Sequence, residues 1–125
     1  MNIEEISKEL KKLQYHVKII GECLDYKLNP LESLILSMNW DDSQIKKAHN
    51  IFEKYDNKLL EKEDVNWKEF EMALKDEFSI GNQAIKAIIL AFHRNHQWME
   101  VCRGYAMSFE PSTPVEFHSI TKRNE

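Results

Sequence analysis

The clearest hydrophobic pattern lies at the start of the chain, where apolar residues alternate at intervals of three and four. We call these residues the seam; they are Ile3, Ile6, Leu10, Leu13, Val17, Ile20 and Leu24. A 3.5-residue period held over three heptads predicts a helix whose apolar face meets a partner helix. Leu at heptad position a and Ile at d favour three or four strands over two. The alternative is an ordinary amphipathic helix that packs within its own monomer.

Four further helices are predicted downstream. They follow start signals at Asn29-Pro30, Asp41, Asn66 and Asn82. The last of them is predicted to continue to Arg103, with Gly104 as its stop signal. Its residues 84–92 are apolar on nearly every face, and such a helix is normally buried on all sides. In so small a chain, burying both this helix and the seam is easier if subunits share a core.

The sequence therefore predicts an all-α subunit of about five helices, two of them short, which forms a homo-oligomer. Residues 1–104 are expected to make the helical domain. Residues 105–125 are expected to form an extended or mobile tail, because they contain two prolines and no sustained period. The possible docking anchors of this tail are Phe109, Val115 and Phe117.

Charge and composition limit the classes of function that this chain can have. The net charge is −4, with 17 basic and 21 acidic residues interspersed along the chain, which argues against general nucleic-acid binding. Cys23 and Cys102 form no disulfide framework, and the N-terminus lacks the features of a signal peptide. The longest apolar stretch, 84–92, is too short for a membrane span. We therefore expect a cytoplasmic protein with no membrane contact.

One group of residues could bind a transition metal. His93, His96 and Glu100 are spaced i, i+3 and i+7, which puts them on one face of the predicted last helix. Imidazole and carboxylate are suitable ligands for such metals. The alternative is that they are ordinary polar residues near a helix end. No other cofactor is expected.

The sequence gives weaker support to two further classes, transcription regulators and enzymes with a known catalytic motif. Residues 66–96 could form a helix-turn-helix, with the segment from Asn82 to Ile88 as its recognition helix, although the continuation of that helix is very apolar. No phosphate-binding loop, dinucleotide fingerprint or activated serine motif is present, so no catalytic residue is assigned.

The chain also resembles the YhaI-like helical family of bacilli. The resemblance covers roughly residues 13–107 and is carried by five segments, 13–20, 29–36, 65–67, 84–88 and 99–101. This chain departs from the family pattern where residues 38–40 replace a Gly-Leu pair, and the segment beyond Met107 looks extra. The resemblance implies an intertwined helical homotrimer with no established activity and no catalytic residues.

These observations lead to one main hypothesis and two alternatives. The main hypothesis is a non-enzymatic homo-oligomer, with a trimer favoured, that acts as a scaffold or regulator through contacts with itself or with another protein. The alternatives are a metal-dependent enzyme or metal sensor and a transcription regulator.

Overall fold

The computed structural model describes residues 2–122, in which helices are joined by turns and short connections and no strand occurs. The predicted all-α class is therefore confirmed. The helices are α1 (Ile3–Glu22), α2 (Pro30–Met38), α3 (Asp42–Leu60), α4 (Trp67–Phe78), α5 (Asn82–Arg94), α6 (Met99–Met107) and α7 (His118–Thr121), with a 3-10 turn at Val115–Phe117. Within this range there are seven α-helices rather than about five, because the predicted last helix is two helices and the C-terminal segment forms another.

Two predicted helix starts are confirmed by their caps. The carboxylate of Asp41 accepts from the backbone N–H of Gln44, and the Gln44 side chain accepts from the Asp41 backbone N–H, both at 2.9 Å. The Asn66 side chain accepts from the backbone N–H groups of Lys68 and Glu69. These side chains satisfy N–H groups that a helix start leaves without partners, so short sequence patterns were enough to locate them.

Helix α5 lies at the centre of the core. Ile85, Ile88, Ile89 and Phe92 are fully buried, because α2, α4, α6 and the 3-10 turn pack around them. The apolar faces of α5 are thus covered largely by its own chain. The sharing of subunit cores that we expected is not needed to bury this helix.

The predicted single helix from Asn82 to Arg103 is wrong, because the chain turns between α5 and α6. His96 has a φ of 56° and Trp98 a φ of 52°. The backbone N–H of Gln97 donates to the carbonyl of Phe92 at 2.9 Å, which closes a Schellman-type end. The Trp98 indole N–H then donates to Nδ1 of His49, 3.0 Å away on α3. A contact between distant parts of the sequence therefore holds this turn.

Acidification is expected to weaken this connection. His49 must be neutral at Nδ1 to accept from Trp98, and burial lowers its pKa below 6.5. A depressed folded-state pKa means that the stabilisation is present above the unfolded-state pKa and is lost as the pH falls through the folded value. The free energy of unfolding, measured in urea, should therefore fall between pH 7 and about pH 5.

The variant His49→Phe provides the control for this prediction. It should unfold more easily near neutral pH but lose less stability on acidification than the wild type. Some pH dependence will remain, because the pKa of His93 is also lowered, first by burial and then by the charges of Arg103, His96 and Arg94. An unchanged pH slope in His49→Phe would show that His49 is not responsible.

The described part of the C-terminal segment differs from the extended or mobile tail that we predicted for residues 105–125. Helix α6 continues through Gly104 to Met107, so the predicted boundary at Gly104 is wrong. Phe117 and Ile120 are both buried in the core. A salt bridge of 3.0 Å joins Glu116 to Lys86 on α5. Residues 123–125 of the predicted tail lie outside the described range.

The three predicted anchors of this segment have different positions. Phe117 is fully buried, and its ring centroid lies 5.9 Å from that of Tyr105. Phe109 packs edge-on against Tyr105 at 5.1 Å. Val115 remains 75% exposed and anchors nothing within residues 2–122. Burial of aromatic rings therefore docks the segment against the core. Pro111 and Pro114 lie in the connection between α6 and the 3-10 turn.

Candidate self-association site on the first helix

Helix α1 differs from every other helix longer than one turn in having no buried residue. The six seam residues that lie on it are all exposed, from 44% for Ile6 to 85% for Ile3. Within residues 2–122 no other helix packs along it. Leu24, the seventh seam residue, lies beyond the end of α1 and is partly buried. The alternative that this face packs within its own monomer is therefore wrong for this structure.

The N-terminal end of α1 is well formed. The Asn2 side chain accepts from the backbone N–H of Glu5 at 2.8 Å, and Glu4 and Glu5 place negative charge in the first turn, where the helix dipole favours it. Nevertheless, an isolated helix of this length is only marginally stable in water, and most helices are stabilised by packing their apolar face. The apolar face of α1 lacks this stabilisation within residues 2–122.

The other end of α1 is anchored to the helical body by an ordered turn. The Asp25 carboxylate accepts from the backbone N–H of Lys27 at 2.7 Å, and the Asp25 carbonyl accepts from Asn29 at 2.6 Å. The Arg94 guanidinium of α5 lies 5.0 Å from the centre of the Tyr26 ring. The turn therefore fixes where α1 leaves the body while its seam remains uncovered.

The charges of α1 balance but are unevenly distributed. Residues 3–22 carry four lysines and four glutamates. Glu4, Glu5 and Glu22 lie near the two ends of the helix, and three of its four lysines lie between residues 8 and 12. A helix with no net positive charge is not drawn to anionic lipid or nucleic acid, since both attract clustered Lys and Arg. Within the described range, every helix is too short or too polar to cross a bilayer.

The predicted metal-binding residues do not share a helix. His93 is half-buried near the end of α5, His96 is exposed in the following turn, and Glu100 is exposed on α6. Glu100 lies 3.9 Å from the guanidinium of Arg103. Residues 2–122 contain no group of three His, Cys, Asp or Glu side chains placed to hold a metal ion. The i, i+3, i+7 spacing failed as a guide because the helix ends at Arg94.

The predicted recognition helix is part of α5. The turn before it contains Ser79, with a φ of 52°. Ile85 and Ile88 are fully buried, and Lys86 is engaged by Glu116. The apolar side chains of this helix and its single lysine therefore make contacts within its own domain, and little of the helix remains to enter a DNA groove.

No protein-family model, curated protein or solved structure matches this chain. The resemblance to the YhaI-like family therefore stays a prediction. The functional argument depends on the surfaces of the chain itself.

The polar side chains at one cavity of the body already have partners, and the Cys102 thiol is buried. A cavity of about 280 Å³ lies between α4 and α6, where the Tyr105 hydroxyl donates to the Glu71 carboxylate at 3.0 Å. Lys75 also lies 3.2 Å from Glu71, so this acid already has two partners. Burial raises the pKa of the Cys102 thiol to about 12, which keeps it protonated and unreactive. Sequence patterns gave no signal for the Tyr105–Glu71 contact, because 34 residues separate its members.

Proposed function

We propose that this chain is a non-enzymatic homo-oligomeric helical protein that acts as a scaffold or regulator through protein–protein contacts. The observation that carries the proposal is the seam of α1, which presents six large aliphatic side chains to solvent on one face of a 20-residue helix. Monomeric proteins rarely leave so continuous an apolar surface uncovered unless it binds something.

The size of this surface suits a protein interface. Applied to the area of an aliphatic residue, the exposed fractions of the six residues give on the order of 600 Å² per copy, or about 1,200 Å² for two copies. That total is at the lower end for stable protein interfaces, so association should depend on protein concentration. A second copy is the simplest partner, because a regular apolar seam is complementary to itself and symmetric contacts are the rule in homo-oligomers.

Other partners are less well supported. A membrane surface would favour net positive charge on the polar face of the helix, whereas the Lys and Glu residues of α1 balance.

Three copies would suit the residues at heptad positions a and d if the helices ran parallel. The number of copies is therefore a separate quantity to measure.

The mass in solution tests this proposal. We expect light scattering after size exclusion to give a multiple of 14.9 kDa for the wild type, increasing with concentration between roughly 1 and 100 µM. The double variant Leu10→Ser, Leu13→Ser removes two seam side chains, each worth about 1.5–3 kcal/mol when buried. It should therefore weaken association at least about 100-fold and elute as a monomer.

A matched variant separates the seam from the helix as a whole. Lys8 and Tyr15 lie at heptad position f, opposite the seam, so Lys8→Ser, Tyr15→Ser carries the same number of serines but should keep the wild-type mass. Circular dichroism checks that the body remains folded in both variants. A wild type that is monomeric at every concentration would overturn the proposal.

A further inference from the structure

Resting on the self-association proposed above, we infer that two α1 helices pair in antiparallel orientation, with Leu10 of one copy against Leu13 of the second copy. The structure leaves the seam of α1 exposed from Ile3 to Ile20, and near the end of the helix Gly21 lies next to Leu36 of α2. The orientation and register of the two α1 helices can then be compared by the residues that each arrangement brings together.

One antiparallel register places an apolar residue in every layer. In this register residue n of one copy faces residue 23 − n of the other, so position a meets position d throughout. The layers are Ile3 with Ile20, Ile6 with Val17 and Leu10 with Leu13, and the twofold axis repeats each of them. All six residues are exposed in the single chain, so the pairing covers the whole seam of α1.

The flanks of the seam also match in this orientation. When one helix is reversed, its g positions face the g positions of its partner and its e positions face the e positions. Glu9 then lies beside His16 of the second copy, and Ser7 lies beside Gln14, each pair occurring twice. In a parallel pair Glu9 would instead face Gln14 and His16 would face Gly21, so His16 would have no side-chain partner. Because polar flanking residues help to set orientation in helical pairs, this favours the antiparallel one.

The charges along the helix point the same way. Antiparallel pairing brings Glu5 of each copy level with Lys18 of the other copy. Parallel pairing would instead place Glu4 and Glu5 of both copies together at one end, which is repulsive. Lys11 and Lys12 lie at the middle of the pair in either orientation. When the helices are antiparallel, the positive end of each helix dipole also lies beside the negative end of the other, which is favourable.

The register keeps both paired segments within α1. It ends where Ile3 of one copy faces Ile20 of the other, before the turn that contains Tyr26. A shift by one heptad would place Ile3 opposite Lys27, beyond the end of α1. The preference of Leu at a and Ile at d for three or four strands is a rule for parallel helices, so an antiparallel pair of two copies does not conflict with it.

Cys23 makes orientation measurable in the unmodified protein. It is exposed, whereas Cys102 is buried, and the chain has no other cysteine. The two Cys23 residues would be about 34 Å apart along an antiparallel pair but side by side in a parallel one. We therefore expect a short bis-maleimide not to cross-link wild-type copies. Efficient cross-linking through Cys23 would overturn the antiparallel assignment.

A disulfide experiment gives the positive result. In the variant Ile6→Cys, Val17→Cys, Cys23→Ser, the antiparallel register predicts a disulfide from residue 6 of one copy to residue 17 of the other, located by peptide mapping. These positions are about 16 Å apart within one helix, too far to bond to each other in the same copy. Bonds joining 6 to 6 and 17 to 17 would show parallel pairing and overturn the inference.

The two proposals fail in different ways. A monomeric wild-type mass would overturn self-association itself. An oligomeric mass without the 6–17 bond would overturn only the antiparallel register and leave self-association intact.

Discussion

Replacing Phe70 with alanine is expected to destabilise the helical body by about 3–5 kcal/mol. Phe70 is fully buried on α4, and four aromatic rings surround it with centroids 5.1–5.5 Å away. These rings belong to Phe52, Tyr55, Trp67 and Tyr105. Removing the central ring leaves a cavity. The four surrounding rings cannot all move in to fill it, because they are attached to three different helices, α3, α4 and α6. The expected loss is a large fraction of the roughly 5–15 kcal/mol by which a typical domain is stable.

Chemical denaturation, followed by both circular dichroism and tryptophan fluorescence, measures this loss in the free energy of unfolding. Met72 provides the control, since it lies on the same helix but is 51% exposed. Met72→Ala should change the free energy of unfolding by less than about 1 kcal/mol. Similar losses for Phe70→Ala and Met72→Ala would show that the aromatic cluster does not hold α3, α4 and α6 together.

Replacing Gly104 with alanine is expected to cost about 1–3 kcal/mol, although alanine is the better helix former. A methyl group at this position would overlap the Trp67 indole, with Cη2 only 2.8 Å away. The indole itself packs edge-on against Phe70 at 5.5 Å, so it cannot move aside without disturbing the aromatic cluster. Steric overlap therefore outweighs the gain in helix propensity.

Gly21→Ala is the matched control for this prediction. A methyl group there would lie 3.6 Å from Leu36 Cδ1, an ordinary contact, and helix propensity favours alanine. Thermal unfolding should give an unchanged or higher midpoint for Gly21→Ala and a clearly lower one for Gly104→Ala. If Gly104→Ala stabilises the protein, Gly104 does not provide the space that the Trp67 indole occupies.

These expectations distinguish two parts of the chain. Helices α2 to α7 are stabilised by an aromatic and aliphatic core within one copy. Helix α1 contributes no buried residue to that core, and its apolar surface is exposed in the single chain. Substitutions in the core should therefore reduce stability in the monomer, whereas those in the seam should change mass with little effect on the body.

The candidate site could be predicted from the sequence because it depends on local order. The 3.5-residue period places Ile3 to Ile20 on one side of a helix whatever else the chain does, and α1 is that helix. The metal-site prediction used the same kind of spacing and failed. Its three residues fall on both sides of a helix end, so their spacing in sequence did not become a shared face.

The sequence by itself determined the all-helical class, the seam of α1 and the caps at Asp41 and Asn66, since each depends on residues within one or two helical turns. Only the tertiary structure decided where α5 ends, because that turn is held by Trp98 donating to His49 on another helix. It also showed that Gly104 accommodates the Trp67 indole within a continuing helix and that Phe117 docks the C-terminal segment. Such contacts join residues far apart in the chain, and their geometry exists only once the core has packed.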